Sequence, residues 1–115
     1  PLNESTRNII DEKAIEKMKQ GAVIINTSRG GLIDEKAAYR ALKSGKLGGL
    51  GLDAFEKEPP GESPLFELNN VVATPHAGAH TAEAIENMGM LAVRNLIDVL
   101  SGKECKHVVN NMIFS

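Results

Sequence analysis

Four apolar residues, three of them β-branched, follow one another in the segment Ala22-Val23-Ile24-Ile25-Asn26 without any polar residue between them. A strand that buries one face alternates apolar and polar residues, whereas a continuously apolar strand is typical of a parallel sheet covered on both faces. Parallel neighbours are joined by crossover connections, which are usually helices. The segment therefore predicts an α/β fold, and it predicts that both faces of this strand are covered.

Three other segments have the apolar spacing of an amphipathic helix. Each ends before a glycine, and Asp11 and Thr81 can cap the first and the third. They are residues 11–20, between Asp11 and Gly21, residues 34–44, between Asp34 and Gly45, and residues 81–101, between Thr81 and Gly102. Further strands are predicted at residues 47–54, 71–73 and 107–109. This order indicates a parallel sheet with flanking helices. Because so few strands would leave a raw edge, we expect more strands upstream.

The predicted strand at residues 47–54 contains Gly48, Gly49 and Gly51. Glycine weakens an isolated strand, and it is common where another group approaches the backbone closely. We therefore expect a helix or a ligand to lie against this strand.

The composition excludes several classes of protein. The 115 residues are 42% hydrophobic and 24% charged, with a formal net charge of -2, which suits one globular domain without the clustered cations that non-specific nucleic-acid binding needs. No apolar run reaches the roughly 18 residues of a membrane span. The single cysteine, Cys105, favours a reducing compartment. We expect a cytoplasmic protein that binds neither nucleic acid nor membrane. Because the chain begins at Pro1, within a predicted loop, we also expect it to be a fragment.

Polar clusters directly follow three of the predicted strands, at residues 26–31, 53–58 and 74–80. Ligands of open α/β sheets bind outside the carboxyl ends of the strands, so we expect these clusters to converge on one crevice. They would bring together Arg29, Glu58 and His76. A guanidinium can bind a carboxylate or keto oxygen, and an imidazole beside a carboxylate can exchange a proton near neutral pH. The clusters predict an anchor for an organic acid beside an acid/base pair.

Each of these residues also has a structural explanation. An arginine in a glycine-rich loop is often solvated or caps a turn, a glutamate before proline is often a turn residue, and a histidine after Thr-Pro can cap the next helix. Asp53 can cap the loop after its strand. His80 and His107 are expected to be structural or solvated, since no metal-ligand spacing links them to each other or to Cys105. No metal site is predicted.

Five motifs occur together and in order, at residues 1–7 (PLNESTR), 18–22 (MKQGA), 25–35 (INTSRGGLIDE), 52–59 (LDAFEKEP) and 74–76 (TPH). Through them the chain resembles the D-isomer-specific 2-hydroxyacid dehydrogenase family over roughly residues 1–110, and in particular its phosphoglycerate dehydrogenase-like members. The resemblance implies hydride transfer between NAD and a D-2-hydroxy acid such as 3-phosphoglycerate. It further implies a cytoplasmic homo-oligomer in serine biosynthesis.

The resemblance also assigns roles to residues. Arg29 matches the arginine that binds the substrate carboxylate and carbonyl, Glu58 the glutamate before proline, and His76 the general acid/base. Contacts to NAD are implied for Thr27, Ser28, Arg29, Asp53, His76, Gly78 and Ala79.

Two parts of the family's pattern are absent from the chain: the Gly-x-Gly-x-x-Gly fingerprint of dinucleotide binding and the separate substrate domain. Residues 1–115 therefore match the C-terminal portion of an NAD-binding domain, half of a doubly wound (Rossmann-type) sheet. We expect the isolated chain to be inactive. The choice between NAD and NADP, and the identity of the 2-hydroxy acid, stay open.

Two alternatives also stay open. Formate dehydrogenases are related, but they carry glutamine at the position of Glu58, which places them second. In a different class, the chain is a non-catalytic module that self-associates through its sheet edge and its long helix, or that senses NAD without turnover.

Overall fold

A computed structural model describes residues 1–109, which belong to two compact units with the boundary after Gly78. The first unit contains helices α1 (Glu12–Lys17) and α2 (Glu35–Lys43), strands β1 (Ala22–Asn26), β2 (Leu47–Leu52) and β3 (Val71–Ala73), and single 3₁₀ turns at Gly30–Leu32 and Pro64–Glu67. The second unit contains α3 (Ala82–Leu100). The predicted α/β order of helices and strands is confirmed.

The three strands form one parallel sheet in the order β1-β2-β3. Asn26 at the end of β1 pairs with Leu52 at the end of β2, and Leu52 pairs with Ala73 at the end of β3. The strands therefore end at the same level, and the loops that follow them leave the sheet side by side.

One face of the sheet carries the hydrophobic core. Ala22 and Ile24 of β1 contribute to this face, and Ile15 of α1 packs into the same cluster. Most of the buried residues in this core belong to β2 and α2: Leu47, Leu50, Leu52, Ala37, Ala38, Ala41 and Leu42. Small alanines on α2 let its backbone lie close to the sheet, which suits a chain with few aromatic residues.

The opposite face of the sheet is exposed in the part of the chain that the structure describes. Val23 and Ile25 of β1 are 64% and 75% exposed, and Val72 of β3 is 70% exposed. The prediction that β1 is covered on both faces is thus met on one face only, because α1 and α2 contribute to the core on the same side.

β2 needs a glycine at position 48, where the backbone of a neighbouring segment comes very close. The pairing of β1 with β2 is irregular here, since Ala22 pairs with Leu47 but Val23 pairs with Gly49. The extra residue is a β-bulge, and it keeps Leu47 and Leu50 on the same buried face. A Cβ on Gly48 would lie 2.5 Å from the carbonyl oxygen of Gly21. The close approach that we expected from a helix or a ligand comes instead from the neighbouring backbone at this position.

The helix caps agree with the sequence, but the ends of α1 and β2 differ from the predicted ones. Asp11 and Thr81 accept hydrogen bonds at the starts of α1 and α3 as predicted, and Asp34 does so at the start of α2. The first helix ends at Lys17 rather than at residue 20, because Met18 is already extended, and β2 ends at Leu52 rather than at residue 54.

The strand predicted at residues 107–109 is wrong. Residues 106 and 107 form a turn, and no strand pairing involves residues 107–109. Two β-branched residues, Val108 and Val109, have β propensity, but without a paired neighbour strand that propensity does not form a ladder.

The N-terminal segment runs beside the first 3₁₀ turn and the two residues after it. The amide of Asn8 donates to the carbonyl of Gly31 at 2.8 Å, and the amide of Ile10 donates to the carbonyl of Leu32 at 3.0 Å. The amide of Asp34 returns a hydrogen bond to the carbonyl of Ile10. Residues 8–10 are thus joined to residues 31–34 by backbone contacts.

Truncation of a core side chain tests this packing. Leu47 is fully buried, so Leu47→Ala should lower the free energy of unfolding by about 3 kcal/mol, through lost burial and a residual cavity. Leu100, which is 79% exposed, provides the matched control, and Leu100→Ala should change it by less than about 0.5 kcal/mol. Urea denaturation followed by circular dichroism measures both. Equal effects of the two substitutions would contradict the assignment of the core.

Candidate functional site

The loop after β1 is shaped by the side chain of Asn26, which is only 7% exposed. Its Oδ1 accepts from the amide of Ser28 at 3.0 Å, and its Nδ2 donates to the carbonyl of Arg29 at 2.8 Å. These bonds fold residues 26–29 into a tight turn on which Thr27, Ser28 and Arg29 are exposed. The sequence-predicted anchor, Arg29, therefore lies on the surface of a turn with a fixed backbone.

Gly30 brings this turn against the loop after β2. A Cβ at Gly30 would lie 1.8 Å from the carbonyl carbon of Phe55, a distance that no side chain can satisfy. The backbone of the first loop therefore lies directly on the Phe55–Glu56 peptide.

Asp53 joins the loop after β2 to the loop after β3. Its Oδ1 accepts from the hydroxyl of Thr74 and from the amide of Ala77, and its Oδ2 accepts from the amide of Gly78 at 2.8 Å. The Thr74 hydrogen bond, followed by that from the Ala77 amide, lowers the pKa of Asp53. The loop-capping explanation of Asp53 is thus realised, and its role toward a cofactor stays a prediction.

His76 lies in the loop that Asp53 holds. Its backbone φ is +55°, in the left-handed region that costs most non-glycine residues about 1–2 kcal/mol. Its Nδ1 lies 3.0 Å from Oε1 and 2.9 Å from Oε2 of Glu58. The structure therefore brings the predicted acid/base pair into direct contact. Thr81, and not His76, caps α3.

Glu58 is held from a second direction by the backbone. Its Oε1 accepts from the amide of Phe55 at 3.0 Å. The hydrogen bond from His76, and next that from Phe55, lower the pKa of Glu58, and the nearby charge of Arg29 lowers it further. Glu58 is therefore ionised at neutral pH. Arg29 lies within electrostatic reach of Glu58 but forms no ion pair with it among the described residues, and its guanidinium donates to the carbonyl of Ser28.

Two open pockets are lined by residues of the strand ends and of the loops that follow them. One, of about 330 Å³, has Glu58 and His76 among apolar neighbours that include Phe55 and Phe66. The other, of about 420 Å³, lies over the exposed strand face and is lined at the carboxyl ends of the strands by Thr27, Asp53 and Thr74.

Three residues of the site were not among the predicted site residues: Asn26, Thr74 and the backbone amide of Phe55. Asn26 could have been found from the sequence, because an asparagine at the end of a predicted strand and directly before a predicted turn often closes that turn. The other two depend on contacts between loops that no local pattern encodes. Ser28 lies in the first turn, the amide of Gly78 donates to Asp53, and Ala79 belongs to the second unit. The cofactor roles predicted for all three stay predictions.

Neither a metal site nor a membrane span is found in residues 1–109. No three histidine, cysteine, aspartate or glutamate side chains there are grouped so that they could hold a metal ion. None of the helices there combines the length and the hydrophobicity that crossing a bilayer requires.

The fold and the site together define an α/β domain with an acid/base pair at the carboxyl ends of its parallel strands. The family model described as "D-isomer specific 2-hydroxyacid dehydrogenase, NAD binding domain" matches residues 1–78, the whole of the first unit. The chain belongs to the NAD-dependent D-2-hydroxyacid dehydrogenase family, which confirms the resemblance inferred from its motifs.

Individual relatives agree with this assignment. The chain is 49% identical over 110 residues to D-3-phosphoglycerate dehydrogenase of Methanocaldococcus jannaschii, and this match covers 96% of the chain and 21% of the relative. It is 52% identical over 103 residues to hydroxypyruvate reductase of Thermotoga maritima, and that match covers 87% of the chain and 34% of the relative. A crystal structure of a glyoxylate reductase from Paecilomyes thermophila has 45% identity and a TM-score of 0.82, over 96% of this chain and 34% of that one. The chain thus spans about a fifth to a third of each of these three proteins.

The pH dependence of stability tests the anchoring role of Asp53. Because its pKa is lowered in the folded state, Asp53 stabilises the fold above its ordinary pKa of 3.8, and this stabilisation is lost as the pH falls through the lowered value. Asp53→Asn should lower the melting temperature at pH 7 by several degrees and flatten the decline of that temperature at acid pH.

The control is Glu62→Gln, which removes one carboxylate from an exposed turn. It should leave the curve of melting temperature against pH close to that of the unaltered chain. Differential scanning calorimetry at a series of pH values measures all three proteins. Parallel curves for the unaltered chain and Asp53→Asn would contradict the role of Asp53.

Proposed function

We propose that this chain is the C-terminal portion of the NAD-binding domain of a longer enzyme, and that this enzyme oxidises D-2-hydroxy acids or reduces the corresponding 2-oxo acids. The observation that carries the proposal is the contact between Glu58 and His76 at the carboxyl ends of the strands, with Arg29 beside it. The family relationship supports it, since dehydrogenases and reductases of such acids are among its members.

His76 exchanges the proton in this proposal. An ionised Glu58 only accepts hydrogen bonds, so it holds the proton of the imidazole on Nδ1. The other ring nitrogen, Nε2, is then the atom that gives a proton to the carbonyl oxygen during reduction and takes it from the hydroxyl during oxidation.

Arg29 binds the acid. A guanidinium binds a carboxylate with two parallel hydrogen bonds and keeps its charge at all working pH values. Its only described side-chain hydrogen bond is to the carbonyl of Ser28, so it remains able to engage a ligand. A second contact to the keto oxygen would stabilise the negative charge that develops there in the transition state.

The pocket over the exposed strand face suits a nicotinamide ring. Gly49 and Gly51 leave its floor flat, while Val23 and Ile25 make that floor apolar. Hydroxyl and carboxylate groups lie at one end of the pocket, where they could meet a carboxamide. We propose that Thr27, Ser28, Asp53, Gly78 and Ala79 hold this part of NAD, together with Arg29 and His76. When bound, NAD supplies the acceptor or donor of the hydride at carbon 2 of the acid.

The particular acid is a finer proposal. The motifs favour 3-phosphoglycerate, whereas the similar proteins are named for 3-phosphoglycerate, hydroxypyruvate or glyoxylate. All three share the carboxylate and the oxygen on carbon 2 that Arg29 and His76 would contact. We propose 3-phosphoglycerate as the first substrate to assay, with the other two in parallel.

Substitutions in the longer protein test the catalytic roles. His76→Asn should lower kcat by about 10²–10⁴, because asparagine tolerates the left-handed backbone but carries no exchangeable proton near neutral pH. Arg29→Ala should raise KM for the acid and lower kcat/KM by about 10²–10³, because it removes the anchor and the charge at the keto oxygen. The control is His107→Asn, an exposed histidine far along the chain, which should leave both constants unchanged.

Initial rates of NADH oxidation or NAD reduction measure these constants. If His76→Asn and Arg29→Ala keep the activity of the unaltered protein, the catalytic assignment is wrong. If the longer protein shows no turnover with any of the three acids, the result favours the alternative of a self-associating or NAD-sensing module. The exposed strand face also favours that alternative.

The isolated chain should show no measurable turnover of these acids. It lacks the glycine fingerprint, and with it the helix N-terminus on which such domains hold the NAD diphosphate. Equal concentrations of the 115-residue chain and of the longer protein can be compared in the same assay. Turnover by the chain that disappears on His76→Asn would contradict this expectation.

A further inference from the structure

Asn26 is a buried polar residue that the proposed reaction leaves without a role. Its position at the end of β1 places it on the face that also carries Ala22 and Ile24, toward the core. A buried amide must be satisfied by hydrogen bonds, since an unpaired one costs about 1–3 kcal/mol. Asn26 meets this requirement entirely within its own turn, by the bonds to Ser28 and Arg29.

These bonds determine where the Arg29 side chain begins. The Nδ2 group of Asn26 binds the carbonyl of Arg29 itself, and Arg29 then continues in an extended conformation with φ of -143°. The backbone of Asn26 is fixed in turn, because its carbonyl accepts from the amide of Asp53 at 2.9 Å. The turn is thus tied at its start to Asp53, the residue directly after β2, and it is closed at its end by the side chain of Asn26.

The same turn is in contact with the residue that holds Glu58. Gly30 lies directly against the carbonyl of Phe55, and the amide of Phe55 donates to Glu58. A change in the shape of the turn would therefore alter the distance between Arg29 and the acid/base pair. The charge of Arg29 contributes to the lowered pKa of Glu58, which agrees with this proximity.

We propose that Asn26 is a positioning residue, which acts through the turn to hold Arg29 at the correct distance from Glu58 and His76 for one acid to contact both. This inference rests on the proposed function. It gives Asn26 no contact with substrate or cofactor, and it predicts that the effect of removing Asn26 depends on the presence of Arg29.

A double-mutant cycle in the longer protein tests the dependence, with hydroxypyruvate and NADH as the probes. Asn26→Ala alone should lower kcat/KM for hydroxypyruvate by about 10–100-fold, as expected when an anchor is misplaced by about an ångström. KM for hydroxypyruvate should rise by a larger factor than KM for NADH, because the proposed NAD contacts also include Asp53, His76, Gly78 and Ala79, which lie outside the turn that Asn26 closes. In the Arg29→Ala background, Asn26→Ala should have no further effect beyond about twofold, because the group through which it acts is gone.

The matched control is Asn69→Ala, which makes the same chemical change at an exposed turn before β3 and should change kcat/KM less than about twofold. If Asn26→Ala fails to fold, Asn26→Asp replaces it in the cycle, since aspartate keeps the acceptor for Ser28 and loses the donor to Arg29. Melting temperatures of all variants accompany the kinetics.

The outcomes are distinct. A loss on Asn26→Ala that vanishes in the Arg29→Ala background supports the positioning role. An equal loss in both backgrounds, or no loss from Asn26→Ala, overturns it while the proposed function stands. If Arg29→Ala itself leaves kcat/KM unchanged, the proposed function fails, and the positioning role fails with it.

Discussion

The site exists because three parallel strands end in register. Pairing of Asn26 with Leu52, and of Leu52 with Ala73, brings the three following loops to one level at one edge of the sheet. Hydrogen bonding in a parallel sheet sets this alignment, and the bulge at Gly48 corrects the phase of β2 so that its leucines still face the core. Without the alignment, Glu58 and His76, which are distant in sequence, would not come into contact.

Hydrogen bonds from side chains at the strand ends then fix the conformations of these loops. Asn26 closes the first loop, and Asp53 holds the third through three hydrogen bonds. The second loop is fixed to the first by the backbone contact at Gly30. Neither Asn26 nor Asp53 resembles a chemical catalyst in this arrangement, yet the groups suited to chemistry, on Glu58 and His76, are exposed and depend on such buried neighbours for their placement.

Much of this could be predicted from the sequence, for physical reasons that differ between residues. Hydrophobic periodicity and capping residues are local, so the helices and the strands of the first unit could be predicted from them. The contact between Glu58 and His76 could be expected because both follow parallel strands that end at one edge of the sheet. The Asp53 contacts and the fit of Gly30 on Phe55 join residues more than twenty positions apart, and no local pattern encodes them. The apolar composition of β1 predicted two covered faces, but composition does not say which element covers a face, and one face is exposed here. At residues 107–109, β propensity alone was misleading because a strand also needs a partner.

The backbone bonds between residues 8–10 and residues 31–34 have a mechanical consequence. Peptide groups, rather than side chains, connect this segment to the stretch directly after the Arg29 turn. A displacement of the segment would move the main chain next to Arg29. Asn8, with a backbone φ of +52°, is restricted to residues that tolerate the left-handed region. The linkage is compatible with a change of the exposed Ile9 side chain, whereas proline in place of Asn8 or Ile10 would remove one of its hydrogen-bond donors.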